Sequence, residues 1–125
     1  MWKLMNGRLI QTTDNSRVKF RTNISKAIIE SLKEISEQND THVNYLLESG
    51  LKALLVEDSI SFNKDSRPKD RVQYKTTYDA ELLKQVKDFA KNHDLFINDV
   101  IEYSVRFIDV KESKNMNYRY RVEKG

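Results

Sequence analysis

The chain contains two similar stretches: Arg17-Val18-Lys19-Phe20-Arg21-Thr22 and, 54 positions later, Arg71-Val72-Gln73-Tyr74-Lys75-Thr76. In both, apolar or threonine side chains alternate with basic or amide side chains, which is the period-two pattern of a half-buried β-strand. The sequence therefore predicts two equivalent strands. Each has an inner face toward a core and an outer face of basic and amide side chains.

The similarity continues beyond the strands. Residues 17–56 align with residues 71–110 without a gap, and 8 of the 40 aligned positions are identical. Because the match includes the strand, the turn and both following helices, an internal duplication explains it better than chance similarity between two helical stretches.

After each strand the apolar spacing changes to three or four residues, which predicts helices over 26–38 and 80–92. Ser25 and Asp79 lie where N-caps are needed and are good N-cap types. Asn39-Asp40 and Asn92-His93-Asp94 are expected to end these helices.

A second helix is expected in each copy, with its apolar face continuing to Leu54 in the first and Ile108 in the second. Gly50 and Ser104 occupy matched positions in these helices. Small residues there indicate a close helix contact, although simple tolerance of a small residue in a helix explains them equally well.

Each copy is too small to fold alone. A unit of about 40 residues buries little surface, and a single strand needs a partner. We therefore predict that the two strands pair with each other as an antiparallel ribbon backed by four helices. The 13 residues of the linker 58–70 span up to about 43 Å when extended. Because the second helix is only roughly 22 Å long, the linker can return past it, and pairing of the two strands within one chain is sterically possible.

The composition excludes several classes of functional site. Of 125 residues, 33% are charged, none is Cys and two are His, so disulfides, thiolate zinc sites and Cys nucleophiles are excluded. No catalytic cluster occurs at a motif spacing. We expect no enzymatic activity, no cofactor and no metal site. The absence of an 18-residue apolar run and of a signal-like start predicts a cytoplasmic protein.

This pattern resembles the ribbon-helix-helix family, the class of the Arc and methionine repressors, over about 80 of the 125 residues. The resemblance is carried by 18–24 before helix 26–38, by 41–44, by 74–78 before helix 80–92, and by 95–98. Family members work as intertwined dimers. The resemblance therefore implies that two tandem copies form an intrachain pseudo-dimer: mainly α, with a small antiparallel β-ribbon and extra short strands at the termini.

The resemblance also implies that the ribbon enters the major groove of double-stranded DNA and that its outer face reads bases. By position, the base-contacting side chains are Lys19, Arg21, Asn23, Gln73, Lys75 and Thr77. Arg and Lys can address guanine, and Asn and Gln can pair with adenine. The alternative is a solvated strand face. Against it, 17–23 and 71–77 contain five basic and no acidic residues.

Phosphate contacts are implied at two further places. One is the strand starts, Arg17 and Arg71. The other is the N-termini of the second helices, where free N–H groups attract anions. The matching amides there are those of Val43, Asn44, Ile97 and Asn98. Family members often place Ser or Thr at the cap, where this chain has His42 and Phe96. We interpret His42 as an exposed residue, with a phosphate contact as the alternative.

The predicted organisation has five parts. They are an N-terminal hairpin arm (1–16), copy one (17–57), a linker (58–70), copy two (71–111) and a basic C-terminal strand or tail (112–125). Asn6-Gly7 is a strong hairpin signal, and Tyr118–Val122 alternates as a strand would. Both termini are candidate surfaces for self-association.

The sequence therefore predicts a sequence-specific DNA-binding transcriptional regulator, a repressor in its simplest form. The alternative is a protein-interaction module, antitoxin-like or an adaptor, that uses the terminal strands. Loss of DNA binding would leave the outer face of the ribbon free to acquire acidic residues, and it has none.

Overall fold

The computed structural model describes residues 2–5, 8–11 and 17–114. The chain is mainly helical with a small antiparallel ribbon, as predicted. The elements in chain order are β1 (Trp2–Met5), β2 (Arg8–Gln11), β3 (Arg17–Ser25), α1 (Lys26–Gln38), α2 (Val43–Glu57), β4 (Arg71–Asp79), α3 (Ala80–Asn92) and α4 (Ile97–Ser104). Single 3-10 turns span Lys64–Ser66 and Val105–Phe107, and residues 110–114 are helical.

The two long strands pair with each other within the chain. β3 runs antiparallel to β4, from Arg17 opposite Asp79 to Ser25 opposite Arg71. At the centre, Arg21 lies opposite Lys75, and these are also the two residues that the 54-residue repeat equates. The register and the repeat therefore share one centre, so equivalent residues of the two strands lie at opposite ends of the ribbon.

The inner face of the ribbon forms one side of the hydrophobic core. Its Ile24 and Tyr78 side chains are fully buried in the core, and Phe20 and Tyr74 are partly buried against it. Apolar side chains from all four helices complete it: Ile29, Leu32, Leu46, Leu47, Leu51, Leu54, Leu82, Leu83, Val86, Phe89, Ala90, Val100 and Ile101. The period-two pattern of the strands thus predicted their buried face, with the exception of Val72 at the start of β4, which is 42% exposed.

The predicted ends of the first helices are confirmed. Ser25 Oγ accepts a hydrogen bond from the Ile28 N–H, and Asp79 Oδ2 accepts one from the Leu82 N–H. These are N-cap bonds, which satisfy donors that the helix itself leaves unpaired. Asp40 and Asp94 then reverse the chain with φ of 51° and 55°. Asp tolerates this left-handed region better than most residues.

The second helices differ from the prediction in copy two. α4 ends at Ser104, whereas the sequence pattern continued its apolar face to Ile108. The chain turns there to cross α2: the Asp109 N–H donates to Ser49 Oγ at 3.0 Å, and Ile108 lies beside Gly50. A Cβ on Gly50 would collide with the carbonyl oxygen of Ser104. The close helix contact predicted from the matched small residues is therefore confirmed.

At the N-terminus, β1 pairs antiparallel with β2, from Trp2 opposite Gln11 to Met5 opposite Arg8, as two strands of a hairpin do. The predicted Asn6-Gly7 turn lies outside the described residues. At the other end, helical residues 110–114 span the predicted boundary between copy two and the tail. The strand predicted at 118–122 lies outside the described residues. Within the described ranges, no helix is both long and apolar enough to span a bilayer.

Candidate nucleic-acid interface

The outer face of the ribbon brings the six predicted base-contacting residues together. The register places them in three cross-strand pairs: Lys19 with Thr77, Arg21 with Lys75, and Asn23 with Gln73. All are exposed except Thr77, which is half-buried. Facing side chains in an antiparallel pair lie about 5 Å apart at Cβ, so the face is one continuous polar surface.

The central pair carries two like charges. Arg21 and Lys75 are directly opposite, both are exposed, and neither forms an ion pair within residues 17–114. Like charges facing each other across a sheet are destabilising. The ribbon therefore keeps an unfavourable arrangement that an anionic ligand would relieve.

Thr77 differs from the other five. Its hydroxyl oxygen accepts a hydrogen bond from Asn44 Nδ2 at 3.3 Å and another from Arg17 Nη2 at 3.4 Å. Its carbonyl oxygen accepts a further bond from Arg17 Nη2 at 3.2 Å. Thr77 thus joins the end of the ribbon to the first turn of α2.

Arg17, predicted as a phosphate contact, is held inside the molecule. Its guanidinium pairs with the carboxylate of Glu48 on α2 and lies 5.6 Å from the ring centre of Tyr45. Glu48 is only 1% exposed. Burial raises the pKa of Glu48, and the Arg17 guanidinium opposes that rise.

Arg71 is held in the equivalent way in copy two. It donates to Glu102 Oε1 at 2.5 Å and to Asp99 Oδ1 at 2.7 Å. Arg67 from the linker joins the same cluster, donating to Asp99 Oδ2 at 2.8 Å. Burial by itself would raise the pKa of Asp99, but hydrogen bonds from Arg67, Arg71 and the Phe96 N–H outweigh burial and lower it.

These two ion-pair clusters were not predicted from the sequence, although a signal was present. Arg17 and Arg71 are identical at the repeat offset, and so are Glu48 and Glu102 on otherwise apolar helix faces. A charge repeated on a buried face needs an opposite partner. The phosphate contacts assigned to Arg17 and Arg71 stay predictions, and both guanidiniums also have this internal role.

The N-termini of the second helices flank the ribbon. Asn44 at the start of α2 donates to Thr77 on β4, and Asn98 at the start of α4 donates from Nδ2 to the carbonyl oxygen of Asn23 on β3 at 3.1 Å. Both asparagines and both contacted residues are repeat equivalents. Each ribbon end therefore lies next to one helix N-terminus.

The cap residues themselves are exposed. His42, as predicted, points to solvent and packs against the Tyr45 ring at 5.4 Å between centroids. Phe96 is 60% exposed and lies under the Arg67 guanidinium, 4.5 Å from the ring centre. In the absence of a capping side chain at Phe96, the Asp99 carboxylate accepts its N–H at 3.0 Å.

The described residues show no group of three His, Asp or Glu side chains arranged to hold a metal ion. No protein-family model, curated protein or solved structure matches this chain. The interpretation of the outer face therefore rests on its geometry and charge.

Proposed function

We propose that this chain is a tandem ribbon-helix-helix protein that inserts the β3–β4 ribbon into the major groove of double-stranded DNA. Two strand-helix-helix units contribute one strand each to the ribbon and share its centre. That is the arrangement expected of a pseudo-dimer made within one chain. The major groove admits a two-stranded ribbon.

One observation carries the proposal: Arg21 and Lys75 face each other, both exposed, and none of the six predicted base-contacting residues around this pair is acidic. A sheet selected for stability alone gains from opposite charges across strands and loses from like ones. The amides of Asn23 and Gln73 and the ammonium of Lys19 complete a surface with the donors that base edges require.

A second argument for DNA binding is that the helix N-termini could each hold a phosphate, one on each side of the ribbon. The first amides of α2 and α4, those of Val43, Asn44, Ile97 and Asn98, have no partner within their own helices because an α-helix leaves its first N–H groups unpaired. Such amides and the helix dipole attract anions. Two such helix N-termini, one beside each end of the ribbon, match a ligand that has phosphates on both rims of a groove.

The biological role that follows is transcriptional regulation in the cytoplasm by DNA binding without catalysis. A protein that occupies the major groove at a chosen sequence blocks other proteins there, so repression is its simplest action.

The proposal is tested with the full chain. We expect selection from a random DNA library to enrich one short motif. Arg21→Ala and Lys75→Ala should each weaken binding to it by roughly 5-fold to 150-fold, the equivalent of about 1–3 kcal/mol. Lys84→Ala, which removes an exposed lysine from α3, is the matched control and should retain wild-type affinity in fluorescence anisotropy. No enrichment, or unchanged affinity in both ribbon variants, would favour a protein-interaction module instead.

A further inference from the structure

The two ends of the outer face carry different chemistry, and the strand register creates the difference. The repeat equates Lys19 with Gln73 and Asn23 with Thr77. The register instead places Asn23 opposite Gln73 and Lys19 opposite Thr77. One end therefore presents two carboxamides, which we call the amide end, and the other presents Lys19 and Thr77, the lysine end.

Both side chains of the amide end point outward. Asn23 and Gln73 are exposed, and neither side-chain amide makes a hydrogen bond within residues 17–114. The backbone at Asn23 is held, because Asn98 Nδ2 donates to the Asn23 carbonyl oxygen. A carboxamide can pair with adenine through its donor and acceptor together, so this end presents two groups with the chemistry that adenine requires.

At the lysine end, Thr77 is withdrawn from the outer face. Its hydroxyl has two acceptor positions, and the bonds from Asn44 and Arg17 occupy both. Arg17 is itself held by the buried carboxylate of Glu48. Lys19 is left as the outward side chain of this end.

We propose that Asn23 and Gln73 together form an adenine-reading end, and that Thr77 positions the ribbon instead of reading a base. This rests on the proposed DNA binding and specifies its target. The chain binds in a single orientation to an element with adenine at one end and guanine beneath Arg21, Lys75 and Lys19.

The test is library selection with single variants of the full chain. Asn23→Ala and Gln73→Ala should each relax base preference at the same end of the motif by at least 5-fold, and Lys19→Ala should act at the opposite end. Thr77→Val should leave every base preference unchanged while lowering the melting temperature, because two internal donors lose their acceptor. Thr77→Ser keeps the hydroxyl and serves as a folded reference.

The outcomes separate the two proposals. If wild-type protein enriches no motif, DNA binding itself is wrong. If it enriches a motif but Asn23→Ala and Gln73→Ala act at opposite ends, DNA binding stands and the amide end is wrong. A change of base preference in Thr77→Val or Thr77→Ser would show that Thr77 reads a base. Lys84→Ala is the control for loss of one surface charge in the same selection.

Discussion

Among single residues, Tyr78 stands out because it buries a hydroxyl that no other described residue pairs with. Its side chain is 1% exposed, and its hydroxyl makes no hydrogen bond to any described residue. Burial raises the pKa of Tyr78 well above its ordinary value. The equivalent position in copy one is Ile24, which is apolar and equally buried. The fold therefore has no need of a hydroxyl here.

Tyr78→Phe is expected to raise the free energy of unfolding by about 1 kcal/mol, because it removes a buried hydroxyl that has lost its water. Urea denaturation measures this. Tyr74→Phe, at the half-buried aromatic position on the same strand, is the control and should not stabilise. A loss of stability in Tyr78→Phe would show that the hydroxyl has a partner after all.

Gly50→Ala is expected to lower the free energy of unfolding by about 1–3 kcal/mol, the usual effect of forcing extra volume into a packed site. The added Cβ would meet the backbone of Ser104, which cannot rotate away as a side chain can. The loss should exceed the gain of about 1 kcal/mol that Ala brings to a helix interior. Ser31→Ala, at an exposed position of α1, reports on helix propensity alone. Equal stability of Gly50→Ala and wild type would contradict the close contact.

Within the ribbon, the two facing cations are expected to lower the stability of the fold while serving the proposed DNA binding. Arg21→Thr removes one of two like charges and places a good strand former there. We expect it to raise the free energy of unfolding by about 0.2–1 kcal/mol and to weaken DNA binding. Paired denaturation and anisotropy measurements check this. If the variant loses stability, Arg21 has a structural role that its exposure does not indicate.

The two ion-pair clusters that hold the ribbon on the second helices differ between the copies. Arg17 pairs with Glu48 and lies beside the ring of Tyr45, whereas Arg71 pairs with both Glu102 and Asp99, and Asp99 is the residue that takes the place of Tyr45 in the repeat. In copy two, Arg67 from the linker also pairs with Asp99. The Asp99 carboxylate is thus stabilised as an anion by its hydrogen bonds, while the Glu48 carboxylate is disfavoured as an anion by burial.

This difference predicts opposite pH effects. The pKa of Asp99 is lowered from 3.8 in the folded state. The Asp99 carboxylate therefore contributes fully to the free energy of unfolding above about pH 4, and this contribution is lost as the pH falls through the folded-state pKa. Asp99→Asn should cost about 3 kcal/mol at pH 7 and show a shallower fall in stability below about pH 4.

The pKa of Glu48 is raised from 4.5, so the folded state binds this proton more readily than the unfolded one and gains stability on acidification. Glu48→Gln removes that gain, and its stability should fall more steeply than that of wild type as the pH approaches 4.5. Denaturation curves over a pH series measure both slopes. The same slope change in both variants would contradict the assignment.

In the molecule as a whole, each copy is covered by the segment of chain that follows the other copy. The linker after α2 crosses copy two, where the Ser61 N–H donates to the Tyr103 hydroxyl at 3.4 Å and Lys64 pairs with Asp94 at 3.0 Å. The chain after α4 crosses copy one, where Thr41 and Ser113 share a buried hydrogen bond of 3.1 Å. Neither copy is complete without the other.

A single chain is therefore expected to saturate one minimal DNA element. Sedimentation should give one protein per duplex, and the selected element should lack two-fold symmetry because the ribbon ends differ. Binding should weaken steeply with salt, by a log–log slope of about −0.9 for each phosphate contacted. Two chains on the shortest bound duplex, with a palindromic motif, would contradict the intrachain ribbon as the reading unit.

The local structure of this chain can be derived from its amino-acid sequence. Helices 26–38 and 80–92, their Ser25 and Asp79 caps and the buried face of each strand follow from side-chain spacing and capping chemistry. These depend on neighbours a few residues apart, which the chain order states directly. The repeat also predicted the close contact at Gly50, because the duplication places two matched small residues, Gly50 and Ser104, where α2 and α4 meet.

The contacts between residues that are distant in the sequence became known from the folded structure. The register joined Asn23 to Gln73, the packing drew Arg17 and Thr77 inward, and the crossing of α2 ended α4 at Ser104. Each outcome is a contact between residues more than 30 positions apart. Such contacts depend on the free energy of packing whole elements together, which the local pattern of side chains does not encode.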